Sequence, residues 1–130
     1  MKNKFFNVVR ILFGLMMSNS GLNKFFNYMP IPEMTESAEA LMGALNASIY
    51  IFPLVAIVEL LAGGLIITKK YNALGAILMM PVTINIFLIH IVLNPAGIIL
   101  SLLLLLINLW ILIENKSKFA ALFTGFKAID

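Results

Sequence analysis

The stretch IFPLVAIVELLAGGLIITKKYNALGAILMMPVTINIFLIHIVLNPAGIILSLLLLLINLWIL, residues 51–112, decides the fold. It contains three long apolar runs. Thr68-Lys69-Lys70-Tyr71-Asn72 separates the first two, and Asn94-Pro95-Ala96-Gly97 separates the second from the third. A helix needs roughly 20 apolar residues to cross the hydrocarbon core of a bilayer. Linkers this short make consecutive helices antiparallel neighbours. Upstream lies a fourth run, closed by Pro30 and Pro32 with Glu33, Glu36 and Glu39. The predicted spans cover 5–28, 49–68, 73–93 and 97–114.

Composition points the same way. Of 130 residues, 62% are hydrophobic and 12% charged. A soluble domain is about half apolar and about a quarter charged, so this chain has too few polar side chains to cover a water-facing surface. The expected architecture is a single all-α domain, residues 1–130, forming an integral membrane four-helix bundle. With no cysteine, disulfides, thiolate metal ligands and thiol exchange are excluded. One histidine and six acidic residues argue against an all-protein metal site. No nucleic-acid partner is expected.

If four spans alternate, Lys2, Lys4, Arg10, Lys69, Lys70, Lys116, Lys118 and Lys127 fall on one side, and Lys24 lies towards the other. The positive-inside rule then predicts that both termini are cytoplasmic, in a plasma (bacterial inner) membrane. Arg10, Lys69, Lys70, Lys116 and Lys118 read as membrane anchors. The first span has a basic start and a hydrophobic centre but no small-x-small cleavage site, and reads as a retained signal anchor.

Two segments are expected to lie on the membrane surface. In 33–48, Met34, Ala38, Leu41 and Leu45 recur at helical spacing. In 116–128, Phe119, Leu122, Phe123 and Phe126 do the same, with Lys116, Lys118 and Lys127 nearby, a basic amphipathic pattern suited to an anionic leaflet.

Ionisable groups inside spans are expensive and normally face a partner or a wet cavity. Glu59 falls near the middle of the second span and Lys24 near the outer end of the first. At about 1.5 Å of rise per residue their depths allow them to meet. Asn85, His90, Asn19, Asn23 and Tyr50 share the outer half, and together these seven residues form the expected polar pocket. Two readings of Glu59 stand side by side: a buried ion pair that locks packing, or the centre of an outward-opening ligand pocket. Asn85 has a further possible duty, repairing the backbone break at Pro81. Gly14, Ser18 and Gly21 form a small-residue stripe on the first span. Gly63 and Gly64 lie near Glu59, and all five read as helix-packing positions. The stripe also permits a homodimer.

The sequence resembles the DoxX family. The likeness rests on Arg10-Ile-Leu-Phe-Gly14 and Ser20-Gly21-Leu22-Asn23-Lys24-Phe25, then on Phe52-Pro53-Leu running into Val58-Glu59-Leu-Leu-Ala-Gly63-Gly64, and on Pro81-Val-Thr-Ile-Asn85 through His90. It spans about 8–115. The resemblance implies a compact four-helix membrane bundle with Lys24, Glu59, Asn85 and His90 at the family's polar positions. It also implies an accessory or small subunit of a membrane assembly, in some relatives quinone-linked. Two alternatives remain: a membrane chaperone without chemistry, and a module that binds or transports a lipid or small amphiphile. No intrinsic cofactor is expected; a quinone or lipid is the candidate ligand, and membrane lipids or a membrane protein the candidate partners. No nucleophile or electrophile is identifiable, so catalytic residues are unassigned.

Overall fold

The computed structural model describes residues 2–124, with side chains for 4–120 and 122. Its regular structure among these residues is all helix, in the order α1 (Lys2–Phe26), α2 (Glu36–Ala47), α3 (Ile51–Ile67), α4 (Asn72–Val92), α5 (Ile98–Glu114) and α6 (Lys116–Thr124), with a 3-10 turn at Pro95–Gly97 before α5. The predicted surface helix over 33–48 is α2, and that over 116–128 corresponds to α6. Phe126 and Lys127 lie outside the described residues, as does the side chain of Phe123.

Each boundary has a local cause. α1 ends at Asn27, whose φ of 51° is the left-handed conformation that asparagine tolerates at a helix C-terminus. Its N–H reaches the Asn23 carbonyl at 2.7 Å. Pro30 and Pro32 then keep the chain from re-forming a helix until Thr35 caps α2, its hydroxyl accepting from Ala38 N at 3.2 Å. Between α2 and α3 the Ser48 hydroxyl donates to the Leu45 carbonyl and accepts from Ile51 N. Ile49 follows at φ 74°, a conformation that is costly for a β-branched residue. The two helices therefore meet at 92°. Thr68 closes the α3–α4 turn in the same way as Ser48, donating to Leu65 O and accepting from Tyr71 N.

Among the described residues three helices are long and apolar enough to cross a membrane: α1 from Lys4, α4, and α5 extended back to Pro95. α2 and α3 supply a fourth when the bent pair is taken as one span. α3 alone has 17 residues, a rise of about 25 Å. The expected second span over 49–68 is thus shorter, because the bend at Ile49 turns the chain sideways before the helix reaches full length.

α1 packs along α3, α3 along α4 and α4 along α5, whereas α1 and α5 touch only lightly. Phe13, Met17, Ala62, Ile66, Ala76, Met79, Leu104 and Ile111 make the core. Only 22–28% of each spanning window is buried, so most of its apolar side chains face outward. Helices that expose this much hydrocarbon are solvated by lipid. The molecule is a multi-pass membrane protein.

The α1–α3 seam is built by small residues. A Cβ on Gly14 would lie 2.7 Å from the Gly63 carbonyl oxygen, and one on Gly21 would lie 2.8 Å from that of Ala56. A Cβ on Gly63 would lie 2.5 Å from Ser18 Oγ. Gly64 instead faces open space, one residue and about 100° around the helix from the seam. Gly75 plays the corresponding part between α4 and α3, approaching Ala62 and Ile66.

Candidate binding cavity

Close packing along that seam brings Lys24, in the last turn of α1, onto Glu59 of α3. Lys24 Nζ lies 2.5 Å from Glu59 Oε1, and also donates to Ser20 Oγ at 3.0 Å. Glu59 is 0% exposed and Lys24 24%. Beyond the ion-pair contact the carboxylate makes no hydrogen bond, and Glu59 Oε2 has no hydrogen-bond partner among the described residues. A buried oxygen of this kind is uncommon, since most buried polar atoms are paired.

The pair lies on the wall of a partly open cavity of about 430 Å³ bordered by α1, α2, α3 and α4. Asn85 of α4 joins Lys24 and Glu59 there. The remaining wall is apolar, with Leu45 of α2, Val55 of α3 and Ile86 of α4 among its residues. This is the usual composition of a small-molecule site, which is largely hydrophobic with a few placed polar groups.

His90 belongs to a neighbouring cavity of about 480 Å³, together with Glu33, Asn94 and Gly97. Its Nδ1 lies 3.2 Å from the Asn94 carbonyl, and a Cβ on Gly97 would run into its ring. Met42, Ile86 and Ile89 line both cavities, so these three side chains stand between His90 and the ion pair. α2 roofs the two chambers. It is tied down where the Thr35 hydroxyl donates to Leu93 O and Thr35 N donates to Asn94 Oδ1 at 3.3 Å.

The other expected pocket residues go elsewhere. The Tyr28 hydroxyl donates to the Asn19 carbonyl at 3.0 Å and also meets its side-chain oxygen. Asn23 Oδ1 accepts from Met29 N at 2.8 Å. Both asparagines hold the loop after α1, outside the cavity. Tyr50 is exposed at the α2–α3 bend.

Arg10 also differs from its reading as a headgroup anchor. It is 1% exposed, and Nη1 donates to the carbonyls of Ile66 and Ile67 at 2.5 Å and of Thr68 at 3.0 Å. These are the last carbonyls of α3, which lack intrahelical partners, and a cation there also opposes the helix dipole. Lys69, Lys70, Lys116 and Lys118 remain exposed. A polar contact that sequence reasoning missed lies deeper, where Asn108 of α5 donates to Thr83 Oγ1 of α4 at 3.2 Å. Thr83 in turn donates to the carbonyl of Met80, the residue immediately before Pro81. Thr83, rather than Asn85, is the side chain that hydrogen-bonds this part of the α4 backbone.

Among known protein families, the model described as DoxX matches residues 5–91. No curated protein and no solved structure matches the chain.

Proposed function

Since this chain belongs to the DoxX family, we propose that it is a small membrane subunit that holds the polar end of a lipid-soluble amphiphile at Lys24, Glu59 and Asn85. The observation that carries this reading is the wholly buried Glu59 on the wall of a cavity, with one carboxylate oxygen unpartnered. An unmet buried acceptor costs about 1–3 kcal/mol, a cost that a hydrogen-bonding head in the cavity would offset. The apolar wall suits a hydrocarbon tail, and the three polar groups suit a head.

A quinone in its reduced, quinol form or a hydroxyl-bearing lipid fits this chemistry. The ammonium of Lys24 and the amide of Asn85 are donors for ring or ester oxygens, while Glu59 accepts from a hydroxyl. The subunit accompanies a larger membrane assembly, crosses the bacterial inner membrane four times and keeps both termini in the cytoplasm. The exposed lysines at the α3–α4 turn and the start of α6 support that orientation.

A second reading, a client-binding chaperone, has one observation in its favour. Because α1 and α5 splay apart, an apolar groove of about 470 Å³ runs between them, lined by Phe5, Leu12, Leu103, Leu106 and Trp110 among others. The Gly14–Ser18–Gly21 stripe is occupied by α3, so a partner helix or second copy has this groove as its apolar landing place.

Native mass spectrometry of the chain released gently from membranes tests the proposal. Wild type retains an amphiphile and Glu59→Gln loses it. An empty chain in both forms would reduce the Lys24–Glu59 pair to packing, and a retained membrane protein in place of a small molecule would favour the chaperone reading.

A further inference from the structure

The cavity's polar groups restrict the head it can take. Lys24 and Glu59 are 2.5 Å apart, so their formal charges cancel within the site. A head bearing a net charge would leave one charge unbalanced where water is scarce, and burying an unpaired charge is strongly unfavourable. A neutral head leaves the balance intact.

Hydrogen-bond chemistry narrows it further. Glu59 Oε2 is buried and without a donor, beside the ion-pair contact of Oε1 with Lys24. An ionised carboxylate is acceptor-only, so the head must bring an O–H or N–H. Asn85, on the same wall, offers both amide functions to a second oxygen. Resting on the reading of this cavity as a ligand site, we infer that it selects uncharged, hydroxyl-headed amphiphiles, with the hydroxyl donating to Glu59 Oε2, over fatty acids and cationic amphiphiles. Hydrogen bonds to charged groups are among the strong ones, which is why a single hydroxyl suffices to set the ranking. The apolar residues around the pair, Val55, Val82 and Ile86 among them, accept the chain whatever its head, so discrimination resides in the ion pair.

The test is displacement of a fluorescent monoacylglycerol from the purified full-length chain in neutral detergent. Its competitors share a sixteen-carbon chain, the probe's own length: monopalmitoylglycerol, palmitate and hexadecyltrimethylammonium. Monopalmitoylglycerol should compete better than either charged chain by about tenfold or more, the value of one hydrogen bond to a carboxylate. In Glu59→Gln, which removes the carboxylate that accepts from the head, binding of the probe itself should weaken by about tenfold or more. Equal competition by all three in wild type, or palmitate ahead, would overturn the selectivity while leaving the cavity a binding site. A probe that fails to bind wild type at all would remove the binding reading itself. If Glu59→Gln does not fold, the wild-type ranking decides alone.

Discussion

Glu59 is buried completely, and Lys24 Nζ of the adjacent helix stands 2.5 Å from its Oε1. Breaking such a pair from one side leaves an uncompensated charge in a low-dielectric interior. Lys24→Met should destabilise the chain by about 3–5 kcal/mol, whereas removing both charges in Lys24→Met/Glu59→Leu should restore much of that loss. Thermal unfolding of the two variants in detergent measures the contrast. Equal destabilisation by the single and double variants would mean that the charges are not coupled.

Gly63 and Gly64 are neighbours in sequence with opposite expectations. A Cβ at 63 meets Ser18 and the Gly14 backbone, whereas a Cβ at 64 meets nothing within 4 Å. Gly63→Ala should separate α1 from α3 and cost about 1–3 kcal/mol, the range for overpacking. Gly64→Ala should be neutral, or stabilising by up to about 1 kcal/mol through helix propensity. Melting temperatures of the two variants decide this.

Arg10 donates to three consecutive carbonyls at the end of α3. All three bonds come from Nη1, while Nη2 donates to Asn7 Oδ1 at 3.4 Å, and a lysine ammonium can replace only the first of these two donor groups. Arg10→Met should lower stability by about 3 kcal/mol, and Arg10→Lys should recover only part of it. Hydrogen exchange at the last turn of α3 and the α3–α4 turn would localise the effect, with the far end of the bundle unchanged.

His90 packs on Gly97 so closely that a methyl group at 97 would enter the ring. Gly97→Ala should therefore destabilise the junction of α4 and α5, and His90→Ala should relieve it. A double-mutant cycle should give a coupling of about 0.5–3 kcal/mol. Additive effects would show that the ring moves aside freely.

Much of this arrangement was legible in the sequence, and the remainder has identifiable physical reasons for being hidden. The apolar runs and short linkers specify antiparallel helices, and depth counting allows Lys24 to meet Glu59. The grouping of the outer-half polar residues did not follow from depth, because azimuth matters equally. Asn85 and His90 are five positions apart, about 140° around a helix, and so face different chambers. Asn19 and Lys24 have the same separation. Arg10 near a basic terminus has one sequence signature for two roles, snorkelling outward or capping a neighbour inward. Only the proximity of α3's carbonyls distinguishes them. The bend at Ile49 was hidden because an isoleucine at positive φ runs against local preference, and the hydropathy of 49–68 continues through it.

The central claim, that the space beside Glu59 is a binding cavity, is tested most directly by filling it. Val55 lines that cavity and carries no polar group. The measurement is the mass of small molecules retained by the folded chain in native mass spectrometry, with Val55→Phe compared to wild type. The predicted result is a variant that still unfolds cooperatively, with Lys24 and Glu59 intact, yet carries less or none of the amphiphile. Retention of the same molecule in the same amount would contradict the account.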